Sequence, residues 1–168
     1  MGILVKLIAI GILVFSIAAF WDSIAETISD LWAIPTRISV LHELKQIDMM
    51  ITYQLTDENE NAYKLIILQD FCRDNLRSLG RDPSRDMWFT SYRLFFKNYL
   101  FTPDYKVYLR SSDRDKFGVV SAGQDKKFFT SDDLISKNGS EVEAQYWKKQ
   151  LEIILETSYD VISTETKY

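Results

Sequence analysis

The chain begins with an almost uninterrupted apolar stretch. Between Ile3 and Trp21 the only breaks are one lysine, one glycine and one serine. A helix needs about 20 apolar residues to cross the hydrocarbon core of a membrane, and a helix on the surface of a soluble domain carries a polar face that this stretch lacks. The pattern therefore predicts a membrane segment over residues 1–22.

Two roles are open for this segment. A retained anchor is favoured by Phe20 and Trp21, an aromatic pair of the kind found at membrane interfaces. A cleaved secretory signal is favoured by the small-residue site at 16–18. In either role, Lys6 on one side and three acidic residues on the other predict a cytoplasmic N-terminus and an exported remainder.

The next segments have the periodicity of helices. Residues 23–35 read as a helical connector that Pro35 interrupts. Apolar residues then recur every three or four positions, which predicts an amphipathic helix from Thr36 to about Gln54. A polar turn follows, and the stretch from Tyr63 to Leu79 reads as another helix, which a glycine ends.

Beyond residue 85 the composition changes to aromatic and β-branched runs. Three short strands are predicted, Trp88–Phe96, Tyr105–Arg110 and Phe117–Ser121, as an antiparallel meander. A last helix is expected over Glu141–Glu156, capped by Ser140 and followed by a polar tail. The predicted fold is α+β, in which an N-terminal hydrophobic helix and a long helix pack on a small antiparallel sheet, with an added C-terminal helix.

Composition limits the possible functions. The 168 residues are 46% hydrophobic, enough for one compact domain. Twenty basic against 24 acidic residues give a net charge of −4, so we expect no nucleic-acid partner. The single cysteine, Cys72, excludes an internal disulfide framework and is expected to be a buried thiol. The single histidine, His42, lies off the apolar stripe and is expected at the surface. No phosphate-binding loop is present, and we expect no small-molecule substrate.

Candidate chemistry is concentrated in an acidic loop from Ser121 to Asp133. It combines carboxylates, hydroxyls and a glycine within a span that can fold back on itself. Ca²⁺ takes 6 to 8 oxygen ligands from such groups and from backbone carbonyls. The spacing is not that of an EF-hand, so a solvated acidic turn and a calcium site both remain open on composition alone.

Two motifs in this region resemble those of a known family. The loop contains Ser-Ala-Gly-Gln-Asp (121–125), then Phe128, Thr130 and Asp-Asp-Leu (132–134). This is similar to the Ser-x-Gly-x-Asp … Gly-Thr-x-Asp-Asp-Ile calcium loop of the major pseudopilin of type II secretion systems. Upstream, Asp-Met-Trp-Phe-Thr-Ser-Tyr (86–92) resembles the Asp-Pro-Trp-Gly-Thr-Pro-Tyr segment that opens the sheet in that family.

The resemblance implies a division of the chain. Residues 36–139 would form the pseudopilin-like domain, preceded by the segment at 1–22 and the connector, and followed by the C-terminal helix and tail (140–168). It also implies a single-pass inner-membrane protein with its domain in the periplasm or outside the cell. Expected partners are the membrane, through the N-terminal helix, and other secretion or envelope proteins, with self-association as a further possibility.

The resemblance further implies a structural Ca²⁺ ion. Its side-chain ligands would be Asp125, Asp132 and Asp133, with weaker candidates at Ser121, Ala122 and Phe128.

The chain departs from the family at identifiable positions. Three family glycines are replaced by Phe89, Lys126 and Phe129. At the N-terminus, Lys6 occupies a position where a prepilin carries no charge, and no glutamate precedes Glu26. We therefore expect no prepilin processing and no incorporation into a filament.

Two other functions are compatible with the sequence. One is a metal-free envelope binding module that uses exposed aromatics such as Phe101, Tyr146 or Trp147. The other is a hydrolase that uses the loop carboxylates, although no nucleophile arrangement accompanies them. The sequence favours a non-enzymatic structural or interaction protein.

Overall fold

A computed structural model describes residues 34–56, 62–76, 80–137 and 139–165, with side chains of the last helix described as far as Glu156. The chain divides into two compact units, residues 1–36 and 37–168. The predicted membrane segment and most of the connector lie outside the described residues. Within the described ranges, none of the helices is long and apolar enough to cross a membrane.

The described part is α+β, with three α-helices. Helix α1 covers residues 34–54, with Pro35 at the start of the described range. The connector that Pro35 is predicted to interrupt lies almost wholly outside the described residues, so the interruption stays a prediction. The predicted end near Gln54 is confirmed. Helices α2 and α3 cover Leu68–Asn75 and Glu141–Glu165. In the apolar stripe of α1, Leu44, Ile47 and Ile51 are buried as predicted, whereas Ile38 is 63% exposed. His42 is exposed, as expected.

Six short strands form two antiparallel sheets. One sheet pairs β1 (Lys64–Ile67) with β4 (Lys106–Leu109). The other has the order β3-β2-β5-β6, with these bounds: β2 Arg93–Phe96, β3 Tyr99–Phe101, β5 Phe117–Ser121 and β6 Leu134–Ile135. A 3₁₀ turn, Ser111–Asp113, follows β4.

The predicted helix over Tyr63–Leu79 is wrong over its first five residues. Residues Lys64–Ile67 are strand β1, and α2 ends at Asn75, where the next residue, Leu76, is extended. The run contains two β-branched isoleucines, and its pairing with β4 outweighs a helical periodicity that local sequence alone suggests. Cys72 in α2 is fully buried, as expected.

The predicted three-strand meander is also wrong. β5 was predicted at its observed bounds, but residues 88–90 of the first predicted strand form a turn, and that strand begins only at Arg93. The strand predicted at 105–110 is present as β4, yet it pairs with β1 rather than with its neighbours in the meander. The partner of β2 on its outer side is β3, which the sequence did not predict.

The larger sheet lies between two apolar layers. Along β2, Leu94 and Phe96 face a first core formed with α1, whereas Phe95 faces the other way. This follows from the two-residue period of a strand. The second core consists of Phe95, Val120, Ile135, Val142 and Tyr146, so α3 covers the face of the sheet that α1 leaves open.

Helix α3 begins as predicted but extends further. The Ser140 hydroxyl accepts a hydrogen bond from the Glu143 amide at 3.3 Å, as an N-cap does. The helix continues to Glu165, beyond the predicted end at Glu156. Gly118 on β5 favours the close approach of α3, because an added Cβ atom would make a tight contact of 3.2 Å with a methyl group of Val142.

Candidate functional site

The first motif forms a tight turn organised by one buried carboxylate. Asp86 is fully buried, and its Oδ1 atom accepts hydrogen bonds from the amides of Trp88 at 2.9 Å and Thr90 at 2.8 Å. The amide of Phe89 donates to the Asp86 carbonyl. Burial raises the pKa of Asp86, and these hydrogen bonds act in the opposite direction. A single side chain therefore fixes the path of residues 86–90.

The same carboxylate joins the two motifs. Ser121 donates a hydrogen bond from its hydroxyl to Asp86 Oδ2 at 2.6 Å, and both side chains are fully buried. The Ser121 oxygen in turn accepts a hydrogen bond from the Gly123 amide at 3.3 Å. Ser121 ends β5 and starts the acidic loop, so the loop is tied to the first motif where it leaves the sheet.

Asp132 folds the loop back on itself. Its Oδ2 atom accepts a hydrogen bond from the Asp125 amide at 3.0 Å, and its Oδ1 atom lies 2.8 Å from the Thr130 hydroxyl. Burial acts to raise the pKa of Asp132, but the hydrogen bonds together outweigh it and leave the pKa below its usual value. Only glycine fits at Gly123, because an added Cβ atom would meet the Asp132 carbonyl oxygen at 2.4 Å.

Asp133 braces the other side of the loop against α3. Its Oδ2 atom accepts hydrogen bonds from the amides of Phe129 at 2.6 Å and Thr130 at 3.1 Å, and from the Tyr146 hydroxyl at 2.5 Å. The ring of Phe129 stacks on that of Tyr146 with centroids 4.9 Å apart. Burial raises the pKa of Asp133 to about 6, although the Tyr146 hydrogen bond lowers it.

The loop and the turn contain three residues in a conformation that favours glycine. Phe89, Lys126 and Phe129 have φ values of 66°, 61° and 67°. In this left-handed region a Cβ atom crowds the backbone, and non-glycine residues adopt it at a cost of about 1 kcal/mol or more. These are the three positions at which the major pseudopilin family, which the two motifs resemble, has glycine.

The structure brings the predicted calcium ligands into one loop but assigns several of them other contacts. Ser121, Ala122 and Asp133 are buried, and Ser121 and Asp133 hold hydrogen bonds within the protein. Asp125 is exposed, and its Oδ1 atom accepts a hydrogen bond from the Lys127 amide at 2.7 Å. Across the described ranges, no three His, Cys, Asp or Glu side chains are grouped as a metal would require.

No protein-family model, curated protein or solved structure matches this chain. What the protein does is therefore inferred from its own residues.

Two participants in the site were not predicted from the sequence. The sequence offers Tyr146 as an apolar position of the last helix or as an exposed aromatic, but not as a partner of the loop; it is fully buried and donates a hydrogen bond to Asp133. Arg93 lies over the ring of Phe128 at 4.3 Å, which holds the middle of the loop against β2. For Tyr146, the sequence contains one signal of burial. Val142 and Tyr146 are uncharged and lie one helical turn apart, which marks this face of α3 as a packing surface.

The arrangement suits bracing rather than acid–base catalysis. Asp133 has a raised pKa, as a general acid would, but only 4% of its surface is exposed. Three donors converge on a single oxygen of this carboxylate, which leaves little room for a substrate at that atom. Asp132 likewise uses both oxygens within the loop.

Proposed function

We propose that this protein is a membrane-tethered, exported structural protein with a pseudopilin-like domain, which contacts components of a type II secretion or type IV pilus-like system. The observation that carries the proposal is the backbone conformation of Phe89, Lys126 and Phe129. Left-handed φ values at all three positions where the family has glycine are what a shared loop conformation predicts.

The contact between the two motifs is a second support. The motifs lie about 35 residues apart in sequence, and Asp86 and Ser121 join them through a buried hydrogen bond. Two motifs that belong to one family are expected to contact each other in the folded domain, whereas two chance sequence matches need not be in contact. The packing of the long helix α1 on an antiparallel sheet also agrees with the order of elements that the resemblance implies.

The N-terminal departures define what kind of structural protein we propose. A lysine buried without a partner in a bundle of membrane helices is costly. Lys6, together with the absence of a glutamate before Glu26, therefore argues for an ordinary anchor instead of a filament subunit. In this proposal the domain acts as a tethered partner of an assembly and is not itself polymerised.

Calcium is a separate part of the proposal. Because Ser121 and Asp133 are buried, the ion would depend chiefly on the more accessible Asp125 and Asp132. The lone pairs of these two carboxylates that their hydrogen bonds leave free would bind it, with backbone carbonyl oxygens completing the shell. Its role would be structural, as an addition to the hydrogen bonds that already brace the loop. Lys126 and Lys127 lie beside these carboxylates and oppose a cation, so we expect weak binding.

The tether and the export can be tested together. The full chain, tagged at its C-terminus, is expressed in a Gram-negative bacterium and its membranes are washed with carbonate. We expect the chain to remain in the membrane and the tag to be digested by protease once the outer membrane is opened. Recovery of the chain in the soluble fraction, or a protected tag, would contradict the proposal.

Mass spectrometry of the mature N-terminus tests the anchor itself. We expect the segment to be retained. Cleavage after Gly2 with methylation of Ile3 would show prepilin processing and overturn the distinction from a filament subunit, while leaving the exported domain intact.

A further inference from the structure

The C-terminal helix α3 carries two apolar faces, and only one of them packs on the domain. Val142 and Tyr146 lie in the second core, at 2% and 0% exposure. Leu151 and Leu155 follow them by nine residues each. Nine residues correspond to about 2.5 turns of helix, which places the two leucines on the opposite side. They are 60% and 62% exposed.

The polar side of α3 also has a place in the fold. Gln145, Lys148, Lys149 and Glu152 line a cleft of about 230 Å³ together with Asn98 in the β2–β3 turn. Gln145 and Lys149 are partly buried on this side, which faces the body of the domain, whereas Lys148 and Glu152 lie at its edge and are exposed. The leucines lie away from both contacts, on a helix that continues to Glu165. A helix with an apolar stripe gains most of its stability by burying that stripe against a partner.

The charges beside the stripe indicate which partner fits. Lys148 and Glu152 lie on the same flank of the leucines, one helical turn apart, and both are exposed. In an antiparallel pair of identical helices, equivalent flanks meet, so Lys148 of one copy lies opposite Glu152 of the other, and this contact occurs twice. The bond between Glu152 and Lys149 of the same helix, at 3.2 Å, is exposed and contributes little.

We propose that α3 is a self-association surface, on which the stripes of two copies pack as an antiparallel helix pair fixed by reciprocal Lys148–Glu152 contacts. In this pair the two copies of Leu151 are neighbours, and each Leu155 packs on the turn around residue 145 of the other copy. This inference does not rest on the proposed function, because it uses only the contacts, exposure and charges of α3.

Single cysteines in the full chain, kept dilute in detergent micelles, test the arrangement. The midpoint of the Lys148–Glu152 contact is residue 150. Two copies of residue 151 then lie about 3 Å apart along the helix axis, and two copies of residue 155 about 15 Å apart. A disulfide needs Cα atoms within about 7 Å. We expect Leu151→Cys to form a disulfide-linked dimer under mild oxidation and Leu155→Cys to remain monomeric.

The two variants control for each other. Both positions are equally exposed, so random collision or association through other parts of the chain would cross-link both. The native Cys72 is fully buried and provides a background without an accessible thiol. Cross-linking at neither position would show that another partner, or none, covers the stripe. Cross-linking at both would show parallel pairing or collision. Either result would overturn the proposal.

Reversing the charges of Lys148 and Glu152 tests the register of the proposed helix pair, independently of the leucine contacts. In the Leu151→Cys background, Lys148→Glu should lower the rate of dimer formation about tenfold, because like charges then face each other. Adding Glu152→Lys should restore it. A double variant that stays as slow as the single one would contradict the reciprocal contact.

Discussion

Asp86 Oδ2 and Ser121 Oγ lie 2.6 Å apart in the interior of the domain, and this hydrogen bond joins the turn at 86–90 to the start of the acidic loop. Neither side chain has exposed surface. A hydrogen bond to a buried carboxylate contributes more than an ordinary one, since its loss leaves a desolvated acceptor without its donor. The stability of both motifs should therefore depend on this pair.

Removal of the Ser121 hydroxyl tests this dependence. We expect Ser121→Ala to lower the free energy of unfolding by about 2 kcal/mol, measured by urea denaturation of the full chain in detergent. Ser131→Ala is the matched control, because Ser131 is an exposed serine in the same loop. Its effect should stay within about 0.5 kcal/mol. Equal effects of the two variants would mean that the Asp86–Ser121 bond contributes nothing specific.

Glycine substitution at the left-handed positions should have opposite effects at different sites. Phe89 is 69% exposed, so Phe89→Gly relieves backbone strain without a loss of packing and should stabilise the protein by about 1 kcal/mol. Phe129 adopts nearly the same φ but stacks on Tyr146. Phe129→Gly should therefore destabilise the protein.

Thermal unfolding of the two glycine variants distinguishes these outcomes. Lys126→Gly, at an exposed position, should behave like Phe89→Gly. If Phe89→Gly lowers the melting temperature, the ring has a stabilising contact, and the account of strain at this turn fails.

Calcium binding should appear as a shift in melting temperature. A ligand present at about 100 times its Kd stabilises the folded state by about 2.7 kcal/mol. We expect millimolar Ca²⁺ to raise the melting temperature of the full chain relative to a chelator, and Asp125→Asn or Asp132→Asn to abolish the increase. Asp104→Asn, an exposed acid outside the loop, should leave it unchanged. If Ca²⁺ does not change the melting temperature of the wild-type protein, the prediction that a calcium ion stabilises the loop is wrong.

Asp48 should make stability depend on pH. It is 8% exposed in α1 and accepts a hydrogen bond from Ser136 at 2.6 Å, with Lys137 at 3.5 Å. Burial raises its pKa above the usual 3.8, although Ser136 and Lys137 act to lower it. A raised pKa means that the folded state binds the proton more tightly than the unfolded state. The stabilisation is complete below about pH 3.8 and is lost as the pH rises through the folded-state pKa.

Urea denaturation between pH 3 and pH 8 checks this sign. The difference in unfolding free energy between wild type and Asp48→Asn should change with pH, and wild type should lose stability relative to the variant as pH increases. A difference that is constant across this range, or that changes in the opposite direction, would contradict the assigned role of burial.

The predictable parts of the fold are those where local pattern and tertiary contacts agree. Residues Phe117–Ser121 were placed correctly because β-branched and aromatic residues stand between turn signals, and the observed strand has those bounds. The stripe of α1 was correct for a similar reason, since its period of three to four matches the face that contacts the sheet.

The errors arose where distant contacts decide the structure. Residues Lys64–Ile67 have apolar positions that fit a helix, and only their pairing with Lys106–Leu109 makes them a strand. The hydrogen bond from Tyr146 to Asp133 could not be predicted either, because the two residues are 13 positions apart and Asp133 lies outside α3. Patterns within a short window do not contain such information.

The order of α3 after the strands that it covers has a consequence for biogenesis. Synthesis delivers Phe95, Val120 and Ile135 well before Val142 and Tyr146, which cover them in the second core. The nascent domain therefore exposes an apolar sheet face until its last helix arrives, and such faces are prone to aggregate. A chain truncated before residue 142 would retain the residues of the first core but leave Phe95, Val120 and Ile135 without the helix that covers them, so we expect such a fragment to aggregate.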